Sequence, residues 1–225
     1  MRHQLLFLSI AGSSLFTACT NSQAENETVE APVATEERIA IPAFPERTVQ
    51  LGDPAEADQR RTTYVTLQQK LNANPNDLKS WIKLSELFIT EARITGNFGS
   101  TYVAALSILD DLLDRTKTSS AFHDEIRGEA LTLKALIMLS QHQFKEALVL
   151  GEDAIKLDPY RAFNYGVLVD AHVELGNYPA AVQMSDRMVS IRPDLRSYSR
   201  VSYIREIHGD ITGAIAAMDM AVKAG

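Results

Sequence analysis

The chain has a single cysteine, Cys19, and that scarcity closes off two chemistries. No disulfide can form within the chain, and no zinc site with several thiolate ligands can be assembled. Glycine and proline are also sparse, at 11 and 8 of 225 residues, and four of the prolines (Pro32, Pro42, Pro45, Pro54) fall before residue 55. Long helices can therefore run through the remainder. Positive charge is in deficit: 22 Lys and Arg against 29 Asp and Glu leave a net charge of −7. With no basic surplus to meet a phosphate backbone, nucleic acid is not an expected partner. The uncharged, mostly apolar stretch Leu5–Phe16 is too short to span a bilayer as a permanent helix.

Recognisable catalytic motifs are missing as well. The histidines His3, His123, His142, His172 and His208 form no i, i+4 pair beside a glutamate, so the sequence holds no zinc-protease helix. His142 and His208 fall at turns and His172 on a helix face, and all three read as packed or solvated. Asp110, Asp111 and Asp114 cluster, but they flank Leu109, Leu112 and Leu113 and read as the polar side of an amphipathic helix. No Gly-rich phosphate loop or nucleophile elbow is present. The expectation is a protein without enzymatic activity, cofactor or metal.

The N-terminus reads as an address. Arg2 precedes the apolar stretch Leu5–Phe16, the physical pattern of a secretory signal over residues 1–18. The stretch ends in Leu15-Phe16-Thr17-Ala18-Cys19, which resembles the bacterial lipobox, with Phe16 where leucine is commoner. The resemblance implies lipidation of Cys19, which would become the mature N-terminus and tie the protein to a membrane of the cell envelope. Thr20, rather than Asp, follows it, and by the same resemblance favours the outer membrane over the inner one. The alternative is a soluble secreted or periplasmic protein with a cysteine near an ordinary cleavage site.

Residues 19–53 are polar, acidic and proline-containing, with no sustained period, and are expected to form a disordered tether. A flexible coil of that length has an end-to-end distance on the order of 35 Å. The less favoured alternative is that Ile39-Ala-Ile41-Pro-Ala-Phe44 docks as a short strand or partner motif. From Pro54 a leading helix is expected over 54–77, broken at Asn74-Pro75-Asn76-Asp77. Trp81, Leu84, Leu87 and Phe88 then recur at spacings of three and four, one stripe of an amphipathic helix. Helical stretches continue to the end, broken at Gly176-Asn177, Arg192-Pro193-Asp194 and Gly209-Asp210, so the class is all-α.

The helices repeat. Pro159 and Pro193 stand 34 residues apart, as do Ala147 and Ala181, and Phe144 and Tyr178; Gly176 and Gly209 stand 33 apart, as do Ala181 and Ala214. The clearest copy, 162–194, carries Tyr165, Leu168, Gly176, Tyr178, Ala181 and Pro193 and resembles the tetratricopeptide repeat, a helix–turn–helix of 34 residues. The resemblance implies a right-handed superhelix of antiparallel helix pairs over 78–225, in about four copies: a divergent 78–118, then 128–161, 162–194 and 195–225. In the divergent copy the first helix is expected to be longer by about two turns. Small residues let paired helices approach, glycine allows the tight turn, and an aromatic fills the gap beside it. Arrays of this kind usually finish with a polar-faced helix. The sequence stops near the end of its last copy, so Ile211, Ile215, Met218 and Val222 are expected to self-associate or be covered by a partner, unless the chain is a fragment of a longer array.

In such arrays the first helix of each repeat lines a concave groove. Carried over by repeat position, that surface comprises Thr132, Leu136 and Leu139, then Phe163, Asp170, Val173 and Glu174, then Arg196, Ser199, Tyr203 and Glu206. The same residues could equally form an unused exposed face. The groove would be apolar at one end and aromatic and acidic at the other, suiting a protein or peptide segment with apolar anchors and a few basic residues. It does not resemble the Lys/Asn clamp of some family members, since Thr132, Gly166 and Ser199 stand at one clamp position. The leading function is a membrane-anchored scaffold for protein–protein interaction. A structural subunit of a larger envelope complex is the alternative, and an accessory to a wall-acting enzyme is a third.

Overall fold

The computed structural model describes residues 40–47, 51–118 and 120–225. The expected signal peptide, Cys19 and the tether up to residue 39 lie outside the described residues. Among the described residues every regular element is an α-helix: α1 (Pro54–Ala73), α2 (Leu78–Thr95), α3 (Phe98–Arg115), α4 (Ala121–Ser140), α5 (Phe144–Leu157), α6 (Ala162–Glu174), α7 (Tyr178–Ile191), α8 (Leu195–Ile207) and α9 (Ile211–Lys223). None of these is long and apolar enough to cross a membrane.

Their boundaries follow from local chemistry. Asp53 accepts from the Ala55 amide at 2.9 Å, with Pro54 in the first helical position, where its missing N–H costs nothing. Asp77, Ser120, Asp194 and Asp210 likewise accept from amides of the first turn of α2, α4, α8 and α9, satisfying donors that lack a partner within the helix. At the hairpin turns Gly96, Gly176 and Gly209 adopt φ of 69°, 74° and 80°. The fourth turn puts His142 in the same left-handed region, at φ 60°, a conformation that strains any side chain with a Cβ.

Helices α2 and α3, α4 and α5, α6 and α7, and α8 and α9 form hairpins that stack in chain order, an all-α superhelix of the tetratricopeptide-repeat kind. Ala147, Ala181 and Ala214, at the same place in three hairpins, are buried, which lets the paired helices close up. A further device repeats. The Trp81 indole N–H donates to the Pro75 carbonyl at 2.9 Å, and the Tyr165 hydroxyl to the Pro159 carbonyl at 3.0 Å. Each aromatic satisfies the carbonyl of the proline six residues before it, so α1, which Pro75 follows, takes the place of a second helix packed on the next first helix.

The structure corrects two expectations. The added length of the divergent copy is shared between both helices: α2 and α3 each have 18 residues, against 13 and 14 in α6 and α7. Part of the expected tether is docked. Ile41 and Phe44 pack on the main core, Phe44 stacks on Tyr64 with centroids 5.3 Å apart, and the Tyr64 hydroxyl donates to the Pro42 carbonyl at 2.9 Å. The Arg47 guanidinium then grips Glu91, which is fully buried, through Nε–Oε1 at 2.6 Å and Nη2–Oε2 at 2.8 Å. That pairing holds the guanidinium proton more firmly than usual. Two aromatic neighbours (Tyr64, Phe88) and one carboxylate outweigh the polar composition of this stretch.

Candidate binding groove

The first helices of the hairpins, α2, α4, α6 and α8, share one face. A concavity of about 440 Å³ is lined by Glu86, Ile89, Thr90 and Arg93 from α2, Leu133 and Leu136 from α4, Phe163 from α6, and Arg196 and Arg200 from α8. A second, of about 520 Å³, continues from it through Glu86, Phe163 and Arg196 toward Arg161, Tyr160 and Met188. The floor is apolar because Leu133, Leu136 and Ile89 belong to the main core and show only an edge. Phe163 stands half-buried at the junction of the two, with the Arg196 guanidinium 5.3 Å over its ring.

The walls are charged, and most of those charges are spoken for. Arg200 binds Asp170 through both carboxylate oxygens, Nε–Oδ1 at 2.9 Å and Nη2–Oδ2 at 2.7 Å. Gly166 makes this possible: a Cβ there would stand 3.2 Å from Arg200 Cζ, so the guanidinium lies against bare backbone. Arg161 pairs with Glu129, and Arg192 with Asp194 at 3.0 Å. Arg93 and Arg196 have no ion-pair partner among the described residues. Glu86 has none either, and its carboxyl is held above its ordinary value. The groove walls withdraw water from it, and Glu129 adds repulsion against the opposing pull of Arg161, Arg196 and Lys83.

Of the expected groove residues, Leu136, Phe163 and Arg196 are brought together here, with Asp170 alongside through Arg200. Thr132 is elsewhere. It is fully buried between hairpins, its hydroxyl 2.9 Å from the Gly128 carbonyl and 2.8 Å from Asn164 Oδ1, while Asn164 Nδ2 donates to the Asp158 carbonyl at 3.0 Å. It joins two repeats and is not part of the groove. Glu174, Tyr203 and Glu206 lie beyond these concavities, as does the half-buried Ser199, which donates to the Arg196 carbonyl at 3.1 Å. Leu139 and Val173 pack against neighbouring core clusters. Asp170 is neutralised by Arg200, and the groups lining the first concavity without an ion pair among the described residues are Arg93, Arg196 and Glu86. Glu86, Ile89, Arg93, Leu133, Arg161 and Arg200 were not among the expected groove residues. Three of them lie in the divergent copy, outside the 34-residue register.

No protein-family model matches the chain, and no curated protein sequence matches it. Among solved structures, TTC0263, a thermophilic TPR protein in Thermus thermophilus, superposes with a TM-score of 0.57 at 16% identity, covering 76% of this chain and 86% of its own. A structure of MamA gives a TM-score of 0.48 at 20% identity over 77% of this chain and 95% of its own. The likeness to TTC0263 is one of fold: the chain is built as a tetratricopeptide array. Among the described residues no group of three or more His, Cys, Asp and Glu is placed to hold a metal ion.

Proposed function

We propose that the chain is a binding scaffold whose concave groove holds a segment of another protein, and that Cys19 anchors it by acyl chains to a membrane of a bacterial envelope. The observation that carries the first part is Phe163. It is a half-buried aromatic at the junction of two concavities, on an apolar floor and with polar walls, the arrangement of an anchoring hot spot inside a polar rim. The test is capture from an envelope extract with the full chain and with Phe163→Ala. A protein held by the parent and lost by an equally folded variant supports the groove; equal capture by both removes it.

The anchor rests on sequence, on the place of the lone Cys19 at the end of Leu15-Phe16-Thr17-Ala18. One acyl chain binds a membrane only marginally, and more than one is needed for stable anchoring. Labelled fatty acid should enter the parent and not Cys19→Ser, and the variant should leave the membrane fraction. A variant that is labelled and sediments like the parent contradicts the anchor.

A second reading, as a structural subunit, is favoured by α9. Ile211, Ile215, Met218 and Val222 are 55%, 60%, 42% and 70% exposed on that helix, a patch of the kind that interfaces cover. Light scattering would show a concentration-dependent oligomer that Ile215→Glu dissolves; a monomer at every concentration would end this reading.

A further inference from the structure

We propose that the groove takes an acidic segment of its protein partner, one apolar side chain packing on Phe163 and carboxylates pairing with Arg93 and Arg196. The inference rests on the groove reading above and adds the chemistry of the occupant.

Charge complementarity is the argument. Arg93 on α2 and Arg196 on α8 reach one concavity from opposite ends of the helix row, and neither has an ion-pair partner among the described residues. The neighbouring arginines behave differently, Arg200 being held by Asp170 and Arg161 by Glu129. The positive groups left open are therefore two particular guanidiniums rather than a generally basic surface, and they stand in a chain of net charge −7. Arg196 lies over the Phe163 ring, which leaves its edge N–H groups available as a fork for a carboxylate.

Glu86 is the one carboxylate lining this concavity, so it opposes an acidic occupant and would welcome a basic one. Its removal therefore has opposite signs under the two alternatives.

The probes are three random peptide pools with a fixed central Phe, their flanking positions drawn from Asp/Glu/Ser, from Lys/Arg/Ser or from Asn/Gln/Ser. Each is panned on the immobilised full chain. The acidic pool should be retained above the other two. A binder isolated from it should weaken about tenfold on Arg93→Ala and again on Arg196→Ala, weaken with added salt, and tighten several-fold on Glu86→Gln. Arg196→Lys, which keeps the charge and loses the fork, should fall between. These residues are exposed, so thermal melts of the variants should match the parent. Retention of the basic pool, equal retention of all three, retention of none, or an acidic binder indifferent to both arginines overturns the proposal. The two readings fail separately. A cellular partner lost on Phe163→Ala, with no preference for acidic flanks, keeps the groove and removes its charge preference. Partners and peptides that ignore Phe163→Ala remove both.

Discussion

The first and the last described helices of the array bury very different side chains. At the N-terminal end α1 and α2 bury Tyr64, Leu67, Leu71, Trp81, Leu84 and Phe88, and residues 41–47 lie across them. At the other end α9 buries only Ala214, Ala217 and Ala221, while its larger apolar residues Ile211, Ile215, Met218, Met220 and Val222 are exposed. The main core runs from Ile41 to Ala171, and the later helices are held by two small clusters around Met188 and Ile204. Stability in a stacked array is close to a sum of repeat and neighbour terms. Since α1 and α2 bury the larger side chains, they are expected to open after α8 and α9.

The sharpest way to break that contrast is to remove one latch from α2. Arg47→Ala leaves Glu91 buried without its cation and should cost about 3–5 kcal/mol in urea unfolding, whereas Arg205→Ala on exposed α8 surface should stay within about 0.5 kcal/mol. Cavity formation draws the same line. Leu71→Ala, at a residue 1% exposed, should lose about 2–5 kcal/mol, and Val222→Ala, at a residue 70% exposed, about 0.5 kcal/mol or less.

Between the ends, the seam at Thr132 tests whether repeats are joined by polar as well as apolar contacts. Thr132→Val keeps the shape and strands Asn164 Oδ1 in the core, so about 1–3 kcal/mol should be lost. A gain is expected at the neighbouring turn. His142→Gly relieves the one left-handed turn built without glycine among the described residues and should add about 1 kcal/mol. The smallest effect concerns pH. Burial holds the His172 imidazole below its ordinary value, Glu152 opposing, so the stability present above about pH 6.5 drains away as pH falls toward the folded value. His172→Gln should flatten that acid-side decline in the unfolding midpoint.

What was legible in the sequence was what is written locally. Gly176, Gly209, Pro159 and Pro193 punctuate the chain where turns must form, and Ala147, Ala181 and Ala214 recur because helices must touch there. The all-α array follows from those residues alone. The docked strap was hidden because its partners Tyr64 and Glu91 lie 22 and 44 residues from the Pro42 and Arg47 they meet, and no periodicity marks such a contact. The charge of the groove was hidden for a similar reason. Asp170 reads as acidic until Arg200, 30 residues later, is seen lying across Gly166 to neutralise it. Repeat position placed Phe163, Leu136 and Arg196 in the groove and misplaced Thr132, whose hydroxyl had a nearer use against Asn164.

The central claim is that the concave face is the working surface, and photo-crosslinking in the intact cell tests it most directly. A photoreactive phenylalanine analogue would replace Phe163 in the groove and, in a second strain, Val149, which is 57% exposed on the outer helix α5. The account predicts a discrete crosslinked protein from position 163 and none from 149. A partner captured from 149 and not from 163 would contradict it.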